Sequence, residues 1–202
     1  MLSRMMSRKT ITPRFRLDVT ERQAYDLILA AYNAEVNARH CQFTLDEQAS
    51  QHIRLAAKAL TTTDKFGIAF CGEVGNGKTT LMSAICNLTG YLFENDGLYF
   101  RKVKATEVLD IYQNRKDFRS LYEQPLLAID DLGCEPVEVM SYGNVLTPVV
   151  ELLMSRYEMQ LYTMVSTNIE PKKIGDRYGE RIADRFREML HVIPFTNKTY
   201  RK

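Results

Sequence analysis

Gly72-Glu73-Val74-Gly75-Asn76-Gly77-Lys78-Thr79-Thr80 sets three glycines, a lysine and two hydroxyl side chains in a G-x-x-x-x-G-K-T array. Glycines let the backbone curl so that successive N–H groups face a phosphate, the lysine reaches the outer phosphates, and the first hydroxyl is a ligand for Mg²⁺. The flanks agree with this use. Phe66-Gly-Ile-Ala-Phe-Cys71 is an apolar run of strand length, and a helical run follows from Thr79 to Leu88. Strand, loop and helix in that order predict a site for a nucleoside triphosphate, with residues 72–80 as its binding segment and Thr79 on the metal.

Such a site needs an acid on a neighbouring strand, because Mg²⁺ takes hard oxygen ligands and hydrolysis of ATP needs a polarised water. Leu126-Leu-Ala-Ile-Asp130-Asp131-Leu-Gly133 has four apolar residues and then two carboxylates. In a parallel sheet the ligand edge lies at the carboxyl ends of the strands. Asp130 is therefore assigned to the Mg²⁺ shell and Asp131 to orienting and deprotonating the attacking water.

Two further segments suit the same chemistry. Tyr162-Thr-Met-Val-Ser-Thr-Asn168 ends in polar residues, and Asn168, with Thr167 beside it, is the candidate to contact the γ-phosphate or the water; capping of an ordinary turn is the other use of an asparagine there. Arg181 and Arg185 stand at i, i+4 on one face of a helix. They suit a γ-phosphate, and equally well salt bridges to Glu180, Asp184 or Glu188.

Outward from these motifs, strands and helices alternate. The pattern predicts strands at 66–71, 98–103, 126–130, 161–167 and 191–195, with helices at 79–89, 105–116, about 144–158 and about 178–190. That rhythm argues for a parallel sheet covered on both faces. Ahead of it, Thr20-x-x-Gln23 and Thr44-x-x-Glu47 fit capping boxes for two helices, with Ala24, Leu27, Ile28 and Ala31 on one face of the first and Ala49, Ile53, Ala56 and Leu60 on one face of the second. Pro171 opens a short helical turn.

The chain has 202 residues, enough for one α/β domain and a small appendage. No apolar run has the length of a membrane span and the first residues lack a hydrophobic signal core, which makes the expected location cytoplasmic. Cys41, Cys71, Cys86 and Cys134 are irregularly spaced, so neither a zinc site nor a disulfide framework is expected, and the thiols are read as buried or inert. The net charge of +2 hides an asymmetry: residues 17–171 carry 13 Lys or Arg against 21 Asp or Glu, whereas both ends are basic. Basic ends suit contact with a polyanion, or simply solvated tails.

Taken in order, the loop at 72–79, Ile129-Asp130-Asp131-Leu132-Gly133, the segment from Leu146 to Tyr157, Ser166-Thr167-Asn168 and Gly179-Glu-Arg181-Ile-Ala-Asp-Arg185 resemble the AAA+ ATPases of the DnaC/IstB type, bacterial helicase loaders and transposition helpers. The resemblance implies a P-loop fold with a five-stranded parallel sheet between helices, an ATPase domain over residues 44–202 preceded by a basic arm and helix over 1–43, and no helical lid domain. It further implies ATP and Mg²⁺ as cofactors, Asn168 as a sensor, and Arg185, with Arg181 beside it, reaching the site of a neighbouring subunit in a homo-oligomer. Arg201 is a weaker candidate for a second sensor. The partners it implies are a replicative DNA helicase, or else a transposase, and single-stranded DNA, for which Arg101, Lys102 and Lys104 beside Tyr99 and Phe100 are compatible contacts. A small-molecule kinase on the same loop is the alternative of another class.

Overall fold

The computed structural model describes residues 13–141, 144–196 and 200. Five parallel strands form its centre: β1 (Gly67–Gly72), β2 (Phe100–Lys104), β3 (Leu126–Leu132), β6 (Tyr162–Thr167) and β7 (His191–Phe195), in the spatial order β2-β3-β6-β1-β7. The three inner strands are buried almost throughout, as a sheet covered on both faces requires, while the edge strands β2 and β7 alternate buried and exposed residues.

Helix α1 (Glu21–Ala38) opens with the Thr20 capping box: Thr20 Oγ1 accepts from Gln23 N at 3.3 Å and Gln23 Oε1 accepts from Thr20 N at 3.0 Å. It buries Ala24, Ile28 and Tyr32, packing on α2 (Glu47–Thr61) and on α3 (Lys78–Leu92), the helix that leaves the glycine-rich loop. The boundary expected at residue 44 falls in the loop between α1 and α2. The second capping box does not form. Asp46 is the N-cap of α2, accepting from Ala49 N at 2.7 Å, and a carboxylate there also meets the positive end of the helix dipole.

Three helix assignments change. The expected helix at 105–116 is a 3-10 turn (Ala105–Glu107), α4 (Val108–Gln113) and α5 (Arg115–Tyr122), interrupted at Asn114, whose side chain accepts from Lys116 N and caps α5. The helix expected from about 144 begins at Pro148 as α6 (Pro148–Met159), because proline has no N–H to give and is preset for a first turn; residues before it form the antiparallel hairpin β4 (Val139–Ser141) and β5 (Asn144–Leu146). The helix expected at 178–190 is α7 (Ile174–Tyr178) and α8 (Glu180–Met189), broken at Gly179, whose φ of 87° no helix admits. Strands β1 and β2 start one and two residues later than expected. The 3-10 turn Pro171–Lys173 matches the turn expected at Pro171.

The largest fully buried side chain is charged. Arg156 of α6 (Pro148–Met159) donates from Nε to Thr163 Oγ1 at 2.8 Å, from Nη1 to the carbonyls of Gln124 and Tyr122 at 2.7 and 3.2 Å, and from Nη2 to the Tyr162 carbonyl at 2.7 Å. It pins α6 to the turns entering β3 and β6, and burial pushes its pKa down to about 9. Replacing it by methionine leaves those carbonyls without a donor. Arg156→Met is expected to lower unfolding free energy by about 3 kcal/mol or more in urea titrations, since hydrogen bonds from charged donors contribute about 1.5–3 kcal/mol each; a loss under about 1 kcal/mol would mean that water reaches the freed carbonyls.

Candidate active site

The carboxyl ends of β1, β6 and β3 lie side by side, and each carries one of the sequence-singled segments. After β1 the chain runs through Glu73 and Val74, both exposed, to Gly75 and Gly77, with φ of 86° and 98°. Gly77 is the N-cap of α3, and a Cβ there would stand 2.8 Å from the Tyr32 hydroxyl, so both dihedral and space demand glycine. Asn76 is buried and donates to the Phe195 carbonyl at the end of β7 (3.0 Å). Phe195 in turn stacks on His52 of α2, ring centroids 3.8 Å apart, and Tyr200 N donates to the Gly75 carbonyl at 2.9 Å. The loop is thus held from α1, α2, β7 and the C-terminal segment.

Lys78 is buried to 5% exposure, its ammonium donating to the carbonyls of Gly72 (2.8 Å) and Glu73 (2.5 Å) and to Asn76 Oδ1 (3.1 Å). Thr80, on the first turn of α3, accepts from Arg39 Nη1 at 3.0 Å. Thr79 turns the other way and donates to Asp130 Oδ1 at 2.9 Å. A hydroxyl and a carboxylate from separate elements therefore meet at one point, which is the donor set that Mg²⁺ with bound phosphates requires, since that ion keeps several waters and uses one or two carboxylates. Among the described residues no group of three or more His, Cys, Asp or Glu is placed to hold a metal ion.

The two aspartates differ because the strand is interrupted between them. The β3–β6 register pairs Ile129 with Val165 and then Leu132 with Thr167, so Asp130 and Asp131 together face Ser166 across a bulge. Asp131 takes φ 57°, a left-handed conformation tolerated by aspartate. Asp130 consequently points inward, 4% exposed, and Asp131 is exposed at the sheet edge. Ser166 closes the bulge by accepting from Asp131 N at 2.9 Å and donating to Asp130 Oδ1 at 2.5 Å. Burial raises the Asp130 pKa, but the Ser166 hydroxyl, the Lys102 ammonium 3.2 Å from Oδ2 and the Thr79 hydroxyl outweigh it, leaving the carboxyl below its ordinary value.

Asn168 follows the last residue of β6 and is exposed between the two half-sites. Thr167 faces inward, donating to the Leu132 carbonyl at 2.6 Å. The two arginines separate: Arg181 is exposed, while Arg185 lies over the Tyr157 ring (4.4 Å), donates to its hydroxyl (3.0 Å) and pairs with Glu188 (3.3 Å) and Asp184 (3.8 Å). Arg201 lies outside the described residues. Of the aromatic pair near the basic triplet, Tyr99 is 53% exposed and Phe100 is core. Cys71 is buried and pushed up to about 11, and Cys86 up to about 12, by burial. Of the thiols read as buried or inert, Cys41 and Cys134 are exposed.

Sequence reasoning gave no role at this site to Ser166 or Glu135 and read Lys102 as a DNA contact, whereas its ammonium lies against Asp130. Ser166 was visible at the strand end but ranked below Asn168, and only the bulge reveals its use. Lys102 shares a face with Asp130 by strand periodicity, since Lys102 is in register with Ala128 and Lys104 with Asp130. Glu135, 3% exposed, accepts from Gly133 N at 2.8 Å, from the Tyr178 hydroxyl and, through its carbonyl, from Arg177 Nη2, tying the turn after Asp131 to α7; no local pattern announces it.

No protein-family model and no curated protein matches the chain. Solved structures do. It is similar to the DnaC helicase loader, at 16% identity and TM-score 0.61 over 83% of this chain and 99% of that one. It is similar to DnaI, at 21% identity and TM-score 0.59 over 76% of this chain and 88% of that one. The replication initiator DnaA bound to AMPPCP and single-stranded DNA matches at 18% identity and TM-score 0.57, over 77% of this chain and 49% of that one. The chain thus shares the α/β fold of these structures, a five-stranded parallel sheet among helices with a short helical region before it.

Proposed function

We propose that this chain binds and hydrolyses ATP with Mg²⁺ and works as a DnaC-like switch in DNA replication, loading a helicase. The observation that carries the ATPase reading is the Thr79–Asp130 hydrogen bond beside Lys78, with Asp131 turned outward one residue further on. In this reading Lys78 and the amides of residues 73–79 hold the phosphates, and Thr79 and Asp130 hold the metal. Bound magnesium would neutralise charge on the phosphate oxygens. Asp131 takes the proton of the attacking water and Asn168 orients it. Arg181 and Arg185 complete the site of a neighbouring subunit, where such arginines are worth about 10³–10⁵ in rate. Of the two, Arg181 is the more openly presented; Arg185 would first leave Tyr157 and Glu188.

The loader role is supported by the five motifs in order and by a fold match that spans nearly the whole of the DnaC chain. Contact with single-stranded DNA rests on the basic ends and on the likeness to DnaA. Among the described residues no helix is long and apolar enough to cross a membrane. Capture with a replicative helicase, against a transposase, separates loader from transposition helper. An ATPase assay with and without single-stranded DNA separates both from a kinase, which would answer instead to a small acceptor.

Lys78→Ala is expected to weaken binding of a fluorescent ATP analogue by about 100-fold or more, two decades being about 2.7 kcal/mol of lost charge-assisted contacts; unchanged affinity refutes the loop assignment. Asp131→Asn should keep that affinity and lower turnover about 10²–10⁴-fold, the range of general-base catalysis. Normal turnover in that variant removes Asp131 from the role. Mixing Arg185→Ala with Lys78→Ala subunits should restore part of the activity lost in each, and no recovery at any ratio removes Arg185 from a role between subunits.

A further inference from the structure

Lys102 of β2 is exposed at the surface, yet its ammonium is engaged by two partners. Its ammonium stands 3.2 Å from Asp130 Oδ2 and donates to Ser83 Oγ of α3 at 2.9 Å. Asp130 Oδ1 already accepts from the Thr79 and Ser166 hydroxyls. Oδ2 is thus the oxygen left for a water of a hydrated metal ion, and a cation on a short tether stands against it. Two positive charges at one carboxylate oxygen repel each other at a range where the partly buried setting gives them weight.

We propose that Lys102 is a tethered cation that competes with Mg²⁺ for Asp130 and so weakens the coupling between metal and nucleotide binding. The inference rests on reading this edge as a magnesium–ATP site. Lys102 has the freedom to yield: its side chain is 34% exposed, its stem is long, and the Ser83 hydroxyl gives the ammonium a second acceptor when it leaves the carboxylate. While it stays, it keeps Asp130 ionised and in place, together with Thr79 and Ser166, so the carboxylate is already set for a metal. Lys102 is in this sense a positioning residue. It touches neither phosphate nor water in the reaction.

The test uses the full chain and a fluorescent analogue, mant-AMPPCP, whose affinity is measured in excess Mg²⁺ and in EDTA. The ratio of the two affinities reports the metal's coupling to nucleotide without any turnover. Lys102→Met should raise that ratio about tenfold, the effect of one like charge removed at close range. Ser83→Ala takes away the alternative acceptor, holds the ammonium on Asp130, and should lower the ratio by about twofold or more, given that one such hydrogen bond is worth roughly 0.5–1.5 kcal/mol. Arg101→Met removes the same charge from the same strand without touching Asp130 and should leave the ratio within about twofold. A Lys102→Met ratio equal to that of the unaltered chain overturns the proposal, as does a Ser83→Ala shift in the same direction as Lys102→Met. If Lys102 instead gripped a phosphate, its loss would weaken binding equally in both media and leave the ratio fixed, which also overturns it. Failure of the unaltered chain to bind mant-AMPPCP at all would strike the magnesium–ATP reading itself, a result distinct from either. Should Lys102→Met not fold, Ser83→Ala alone decides through the sign of its shift.

Discussion

One ionised carboxylate draws four elements of the molecule together. Asp130 sits on the inner strand β3, between β2 and β6, and the groups that reach it come from the first turn of α3 (Thr79), from β6 (Ser166) and from β2 (Lys102). A buried carboxylate without partners is strongly unfavourable, so its position is tenable only while those donors surround it. The same contacts bring the glycine-rich loop of β1 within reach of the acidic strand two places away in the sheet. Strand order, loop and acid are in this way a single arrangement.

The bulge at Asp130 and Asp131 lets neighbouring residues do different work. In an unbroken strand successive side chains take opposite faces, and one of two adjacent aspartates would be lost under the sheet. The extra residue lets Asp130 stay inside and turns Asp131 out at the edge, with Ser166 bridging both. Beyond it, Gly133, in a left-handed turn at φ 106°, is pressed against Ile169, and Glu135 clasps the Gly133 amide and Tyr178. The turn after the acids is therefore wedged between the segment that follows Asn168 and the helix that precedes Arg181.

Much of this is legible in the residues alone. The strands β1, β3 and β6 follow from apolar runs bounded by motif residues, and the loop is recognisable because phosphate binding constrains seven or eight consecutive positions. Helix ends are harder. Pro148 and Gly179 are visible breaks, yet 3.6-residue periodicity runs across both and joins what the backbone separates. The hairpin at 139–146 is short and exposes Met140 and Val145, so no buried stripe signals it. Side-chain partnerships between strands escaped for a different reason. Lys102 and Asp130 are 28 positions apart, and only the parallel register sets them on one face. Arg156 likewise gave no cue, because three of its four acceptors are main-chain carbonyls that any sequence would supply.

The left-handed backbone at Asp131 bears on how this position can drift over time. Glycine, asparagine and aspartate enter that conformation with the least strain, whereas β-branched or bulky residues are penalised by their Cβ. The permitted repertoire is thus narrow on steric grounds alone, before any demand of chemistry. Descendants that abandon hydrolysis would be expected to settle on asparagine or glycine here, keeping the bend while losing the proton acceptor, so an inert lineage could be told from a working one by a single letter without any visible disturbance of the surrounding architecture.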